Sequence, residues 1–153
     1  MNVNEINNFG TETRVFISDF FTANQFINHP DQHDIDIIIN VESGAHILFG
    51  QNESNKAIES HHFPMLDSET EELLSNAAQV SAIIEGAGNK KVLVHCWAGV
   101  SRSVACVVFY QMKNFLLTYE QALENVKACR PVANPNEGFV NQLKQWYSTQ
   151  KSI

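Results

Sequence analysis

Val92-Leu93-Val94-His95-Cys96-Trp97-Ala98-Gly99-Val100-Ser101-Arg102-Ser103 is the stretch on which the reading of this chain turns. It starts as an apolar, β-branched run, the pattern of a buried strand. It breaks at a glycine-containing loop, and Ser103-Val104-Ala105-Cys106-Val107-Val108-Phe109-Tyr110 then continues as a helix of small and apolar residues. A strand–loop–helix junction presents backbone N–H groups at the start of a helix, where an anion is favoured. Into that junction the sequence places Cys96 and, at the far end of the loop, Arg102. A helix N-terminus and a nearby cation both favour the thiolate form of a cysteine, the form that acts as a nucleophile. Backbone N–H groups from Trp97 to Arg102 can point inward, and Gly99 relaxes the steric limits on a tight curl. The planar fork of Arg102 can pair with two phosphate oxygens, which lysine does poorly. Donors that stabilise a thiolate also stabilise the charge on a phosphoryl group in transfer. The stretch predicts a phosphate-binding loop with a thiolate nucleophile.

Taken singly, Cys96 reads as a small buried residue and Arg102 as a surface cation. The combination is more specific. Met112 follows Cys106 at the interval that separates Cys96 from Arg102, and no strand, Gly99-like turn and adjoining serine accompany it.

Outward from the loop, the chain reads as strands alternating with helices, then helices only. Residues 1–13 are polar and Asn-rich, a flexible lead. Arg14 to Ser18 is a first strand, and Thr22-Ala23-Asn24-Gln25 has capping-box spacing for a short helix ended by His29-Pro30-Asp31. Asp34 to Val41, with Ile35, Ile37, Ile38 and Ile39, is a buried central strand. Ala45 to Phe49 is a further short strand, Gly50 to Asn55 a turn, and Ile58 to Met65 a strand. Ser68-Glu69-Thr70-Glu71 predicts the start of a helix carrying Leu73, Leu74, Ala77, Ala78, Val80, Ile83 and Ile84. Gly86-Ala87-Gly88-Asn89 stops it. Thr118 and Asn136 open the last two helices. The fold class is α/β, a central mixed or largely parallel sheet flanked by helices, in one domain over residues 14–150.

Composition sets the setting. The chain has 153 residues, is 44% hydrophobic, carries a net charge of −7 and holds three cysteines. Such a length buries one real core. The acidic balance argues against duplex nucleic acid as a partner, and no apolar run approaches a membrane span. Met1-Asn2-Val3-Asn4-Glu5 has no secretory pattern, and Asn2 excludes N-myristoylation. An odd cysteine count without framework spacing points to a reducing compartment, hence the cytoplasm, with the nucleus as a second location. Nothing in the sequence sets an oligomeric state.

His95 to Ser103 resembles the signature loop of the cysteine-dependent protein tyrosine phosphatases, in particular the dual-specificity branch. The likeness extends to Phe109-Tyr110-Gln111-Met112, Glu120-Gln121-Ala122-Leu123, Arg130-Pro131, Pro135-Asn136-Glu137-Gly138-Phe139 and Gln142-Leu143, and to the early strands Val15–Ser18 and Ile37–Val41. It covers roughly residues 14–147 and is loosest over 42–60. The resemblance implies a protein tyrosine phosphatase-like fold and a phosphocysteine mechanism without cofactor or metal. In it Cys96 attacks phosphorus, while Arg102 and the amides of Trp97, Ala98, Gly99, Val100 and Ser101 hold the phosphate. Ser103 assists thiolate departure, and His95 supports the loop. A general acid is expected upstream, and Asp67, just after Phe63-Pro64-Met65-Leu66, stands where the family carries it. The alternative for Asp67 is a capping cluster with Ser68; Glu69, Glu71 and Glu72 are rivals that fall in the predicted helix.

Other features are weaker. His29 and His33 have ligand spacing only if helical, which Pro30 opposes, and His61-His62 alternate on a strand. Cys106 reads as core. Arg130 either fixes the Pro131 loop or binds a second phosphate. Trp97 either rims the site for an aryl phosphate or packs on a neighbouring loop. The loop lacks the lysines of lipid-directed relatives, the chain leaves no room for a kinase-docking domain, and the phosphotyrosine-recognition loop of tyrosine-specific relatives is not found in it. The expected substrates are therefore proteins phosphorylated on tyrosine, serine or threonine. An RNA 5′-end or other non-protein phosphatase, and a phosphate-binding pseudophosphatase, are the alternatives.

Overall fold

β5, Lys91–His95, forms the centre of the sheet, with Val92 to His95 all buried. A strand covered on both faces needs apolar side chains on both, which is why Val92-Leu93-Val94 shows no alternation. The computed structural model describes residues 2–7, 9–29, 34–44 and 57–151. Within them β5 lies between β2, Arg14–Ser18, and β3, Ile37–Asn40, parallel to both. β4, Glu59–His62, is parallel to β3 on one edge, and β1, Val3–Ile6, is antiparallel to β2 on the other. The order β1-β2-β5-β3-β4 is the mixed, largely parallel sheet that the sequence predicts.

Among the described residues five helices cover this sheet: α1, Phe20–Asn28; α2, Leu74–Glu85; α3, Arg102–Phe115; α4, Tyr119–Cys129; and α5, Glu137–Lys151. Strand alternation divides the core in two. Val15, Ile17, Ile37, Ile39, Val92 and Val94 face the layer of α2, α3, α4 and α5. Ile38 and Leu93 face the other way and meet Ala23 and Phe26 of α1. α3 is the central helix, buried at every position from Arg102 to Met112. The parallel register aligns Ser18, His95, Asn40 and His62 in one row. That row marks the carboxyl ends of the strands, where open α/β sheets place their ligand sites. No helix among the described residues is long and apolar enough to cross a membrane.

Several local expectations are corrected. The polar lead is not loose throughout: Val3 to Ile6 pair with β2, and Ile6 is buried. Four residues with one buried side chain leave too little alternation to mark a strand. α1 starts at Phe20, before the Thr22 spacing predicts, because the Asp19 carboxylate accepts the Thr22 N–H at 2.8 Å. α2 starts at Leu74, not after Ser68. Gln142 of α5 takes over the backbone there: its Oε1 accepts the Leu73 N–H and its Nε2 donates to Glu71 O, each at 2.8 Å. The Glu72 carboxylate caps the helix by accepting the Ser75 N–H at 3.1 Å. Glu69, Glu71 and Glu72 thus precede α2 instead of lying in it. The capping box of Thr118 and Gln121 forms as the spacing predicts, and Asn136 Oδ1 accepts the Phe139 N–H at 2.9 Å to open α5. The expected strand over 45–49, the turn over 50–55 and His33 lie outside the described residues.

Candidate active site

Cys96 follows the last residue of β5 and Arg102 opens α3, so the loop between them spans the gap from sheet to helix. Each carbonyl along it is held from outside. His95 Nδ1 lies 3.3 Å from Cys96 O, an arrangement that puts a proton on Nδ1. Phe20 N–H donates to Trp97 O at 2.9 Å and Asn134 N–H to Val100 O at 2.8 Å. Arg130 donates through Nε to Gly99 O at 2.7 Å and through Nη2 to Ala98 O at 3.3 Å. In a planar trans peptide the N–H points opposite to the carbonyl it shares a plane with. Five outward carbonyls, Cys96 to Val100, therefore turn the amides of Trp97 to Ser101 inward, around the Cys96 side chain. Inward amides at a helix N-terminus are an arrangement that suits an anion.

Gly99 makes the curl possible. Its φ is +68°, and a Cβ there would stand 2.5 Å from Arg130 Nη2 and 2.7 Å from Ser18 O. No side chain fits between the loop, the end of β2 and the guanidinium beneath.

Inside the loop, Cys96 Sγ lies 3.2 Å from Ser103 Oγ, both residues buried. Arg102 is nearly buried, 9% exposed. Its Nη1 donates to Met65 O at 2.9 Å. Its Nε is buried and has no hydrogen-bond partner among the described residues, a donor that a phosphate oxygen would satisfy. Through Met65 the arginine ties the phosphate loop to the segment between β4 and α2.

Asp67 sits on that segment, exposed, and its Oδ1 accepts a hydrogen bond from Asn136 Nδ2 at 2.9 Å. It takes no part in capping α2, whose N-cap is Leu73. Asn136 joins three parts of the site. Its side-chain oxygen caps α5, its side-chain nitrogen holds Asp67, and its backbone N–H donates to Ser101 Oγ at 2.9 Å. Gly138 lets the first turn of α5 press against the Glu69 backbone, which any Cβ would strike. The segment carrying Asp67 is therefore seated on α5 by Asn136, Gly138 and Gln142.

Of the two readings of Arg130, the structural one fits its contacts, and they reach further than the sequence indicates. Arg130 is 1% exposed; its carbonyl accepts the Ala133 N–H across the Pro131 turn at 3.0 Å, while its side chain holds the loop after Cys96. Nη1 donates to Asn4 Oδ1 at 2.9 Å and Nη2 to Asn2 Oδ1 at 2.6 Å. Burial pulls its pKa below the ordinary arginine value, while the nearby Asp19 and Cys96 act the other way. A guanidinium stays charged under such a shift. Asn2, Asn4 and Asn136 join Arg130 as residues whose role at the site emerges only in three dimensions. Trp97, by contrast, is half-exposed and stacks on Phe20. Cys106 is core, and its burial, then the nearness of Cys96, push its thiol well above the ordinary range. Among the described residues no cluster of three or more His, Cys, Asp or Glu could hold a metal ion.

Comparison with known proteins agrees with this geometry. The family described as "Dual specificity phosphatase, catalytic domain" matches residues 15–149. Human "Protein phosphatase Slingshot homolog 3" is 43% identical over 86 residues, covering 55% of this chain and 13% of that protein. Rat "Dual specificity protein phosphatase 12" is 45% identical over 91 residues, covering 58% of this chain and 27% of that protein. The chain thus spans only a minor part of these relatives' length. The crystal structure of the Yvh1 phosphatase domain from Chaetomium thermophilum superposes with a TM-score of 0.82 at 26% identity, covering 97% of each chain. A sheet ending at Cys96, a loop curled around it and a match over nearly the whole chain agree, and this protein belongs to the dual specificity phosphatase catalytic-domain family.

Proposed function

We propose that this chain hydrolyses phosphate monoesters on proteins, phosphotyrosine and phosphoserine or phosphothreonine alike, through a phosphocysteine intermediate. The observation that carries the reading is the ring of inward amides from Trp97 to Ser101 around Cys96, completed by the buried, unpartnered Nε of Arg102. In the first step the Cys96 thiolate attacks phosphorus and the bond from phosphorus to the ester oxygen breaks. Asp67 gives its proton to that leaving oxygen. In the second step a water attacks phosphorus, Asp67 takes the water's proton, and the phosphorus–sulfur bond breaks to return the thiolate. The Ser103 hydroxyl, 3.2 Å from sulfur, donates to the departing thiolate. Loop amides and Arg102 hold the non-bridging oxygens throughout, where charge builds in the transition state. His95 supports the loop through Cys96 O. The domain comprises residues 14–150, with β1 ahead of it bracing Arg130. Its cysteines are free thiols, which supports a reducing compartment, the cytoplasm or nucleus.

The test is hydrolysis of an aryl phosphate, without divalent metal, by wild type, Cys96→Ser and Asp67→Asn. Cys96→Ser loses turnover, and Asp67→Asn slows most on esters with poor leaving groups. Full activity in Cys96→Ser ends the mechanism. A phosphopeptide panel set beside 5′-triphosphorylated RNA then decides the substrate class, and preference for the RNA would replace the protein reading.

A further inference from the structure

Single exposed apolar side chains are ordinary on a protein surface; a contiguous group beside a reaction centre is not. Here the exposed large hydrophobics include Trp97 at 50% and Phe21 at 59%. These two touch, their rings edge to face at 5.2 Å. Phe20 lies beneath, stacked on Trp97 at 5.3 Å with the planes 21° apart, and reaches the His95 ring at 6.3 Å. Trp97 is the neighbour of Cys96 in the chain, so the aromatic group begins one residue from sulfur. Leu66, exposed at 57%, adjoins Asp67 on the segment between β4 and α2.

This aromatic shelf is held in place. Phe20 N–H donates to Trp97 O at 2.9 Å, and Asp19 caps the helix that carries both phenylalanines. Fixed rings give contact area with little ordering cost on binding. The charge that adjoins the shelf is negative, the half-buried Asp19 beside Phe20. Arg102 and Arg130 are buried, and Arg14, Lys90 and Lys91 stand at the opposite ends of the parallel strands. Among the described residues no exposed cation stands at the shelf to draw an acidic flank, whereas an apolar one finds two exposed rings.

We propose that Trp97 and Phe21, floored by Phe20, form a subsite for an apolar, preferably aromatic, side chain next to the phosphorylated residue of a peptide substrate. This rests on the phosphoprotein phosphatase reading and adds a specificity element to it. Seating a phenyl group there favours the peptide by roughly 10-fold in kcat/KM over an alanine at the same position.

The experiment uses paired phosphopeptides that differ only in the flanking residue, Phe against Ala or Glu, with p-nitrophenyl phosphate as a substrate that has no flank. Wild type prefers the Phe peptide, and Phe21→Ser erases the preference while p-nitrophenyl phosphate turnover stays unchanged. Phe21→Leu restores part of it. Equal kcat/KM across the pair in wild type, or an undiminished preference in Phe21→Ser, overturns the subsite. Binding to Cys96→Ser, followed by tryptophan fluorescence, separates this from failure of the underlying reading. Tight binding of the Phe peptide without wild-type turnover removes the phosphatase and keeps the shelf; equal binding of both peptides removes the shelf. Sedimentation completes the set. A wild-type dimer that Phe21→Ser dissociates, with peptide selectivity unaltered, reassigns the shelf to contact between copies.

Discussion

Replacing Arg130 by methionine removes the support beneath the phosphate loop while keeping an apolar stem of similar length. Arg130 donates to four acceptors: Gly99 O, Ala98 O, Asn4 Oδ1 and Asn2 Oδ1. Ala98 and Asn2 are exposed and Asn4 is half-buried, so their oxygens regain water. Gly99 is buried, and its carbonyl is left unsatisfied at a cost of about 1–3 kcal/mol. Loss of charge-assisted bonds adds to this, and relief from desolvating a guanidinium subtracts. The balance is a destabilisation of about 2–4 kcal/mol, which lowers Tm by roughly 4–16 °C for a domain of this size. A domain of ordinary stability stays folded at 25 °C after such a loss, so activity can be read separately. With Gly99 O and Ala98 O released, the amides that share their peptide planes lose their aim, and kcat/KM on an aryl phosphate falls about 10²-fold or more. Arg130→Lys keeps the charge but not the fork, and recovers little. Circular dichroism melts and aryl phosphate kinetics are the assays. An Arg130→Met variant with unchanged Tm and unchanged kcat/KM would refute the view that this arginine shapes the loop.

Further outcomes follow from the same contacts. Gly99→Ala, with a Cβ 2.7 Å from Ser18 O at φ +68°, loses about 2–4 kcal/mol on urea unfolding and most of its turnover; wild-type values for both would contradict the crowding. Asn136→Asp retains the cap of α5 but loses the donor to Asp67, so kcat falls for poor leaving groups and little for good ones, whereas Asn136→Ala also loses about 1 kcal/mol of stability; a uniform loss across leaving groups would show that Asn136 does not position Asp67. Cys106 stays protonated in the folded protein as pH passes the ordinary thiol value near 8.5, because burial, then the nearness of Cys96, raises its pKa. Its contribution to stability is intact below that value and declines as pH climbs above it, and iodoacetamide at pH about 8 labels Cys96 and spares Cys106; labelling of both at equal rates would show that the α3 core is open.

What the sequence shows and what it hides divide along contact range. Cys96, Ser103 and Arg102 lie within one local strand–loop–helix unit, so their relation is legible from spacing. The buried run at Val92-Leu93-Val94 fixes the central strand for the same reason, and Thr118 with Gln121 forms the capping box that its spacing announces. The supports of the site come from far away. Arg130 meets Gly99 across 31 residues and Asn4 across 126, and Asn136 meets Asp67 across 69. Such pairs leave no period in the sequence, and an asparagine in a polar N-terminal stretch looks like loop. The start of α2 shows tertiary structure overriding a local signal. Ser68-Glu69-Thr70-Glu71 has the capping pattern, but Gln142 satisfies the backbone at Leu73 and Glu71 and moves the helix start to Leu74. That shift takes Glu69, Glu71 and Glu72 out of the helix and leaves them with Asp67 on the segment between β4 and α2, which Arg102 holds through Met65 O.

In the proposed reaction Cys96 carries the phosphoryl group between the two steps. Acid-quenched mass spectrometry of the protein during turnover of an aryl phosphate measures this directly, with Ser103→Ala used to slow thiolate release and accumulate the intermediate. The expected result is a phosphoryl adduct on the peptide containing Cys96, seen in wild type, increased in Ser103→Ala and absent in Cys96→Ser. Sustained turnover with Cys96 never phosphorylated, or an adduct on another residue, would contradict it.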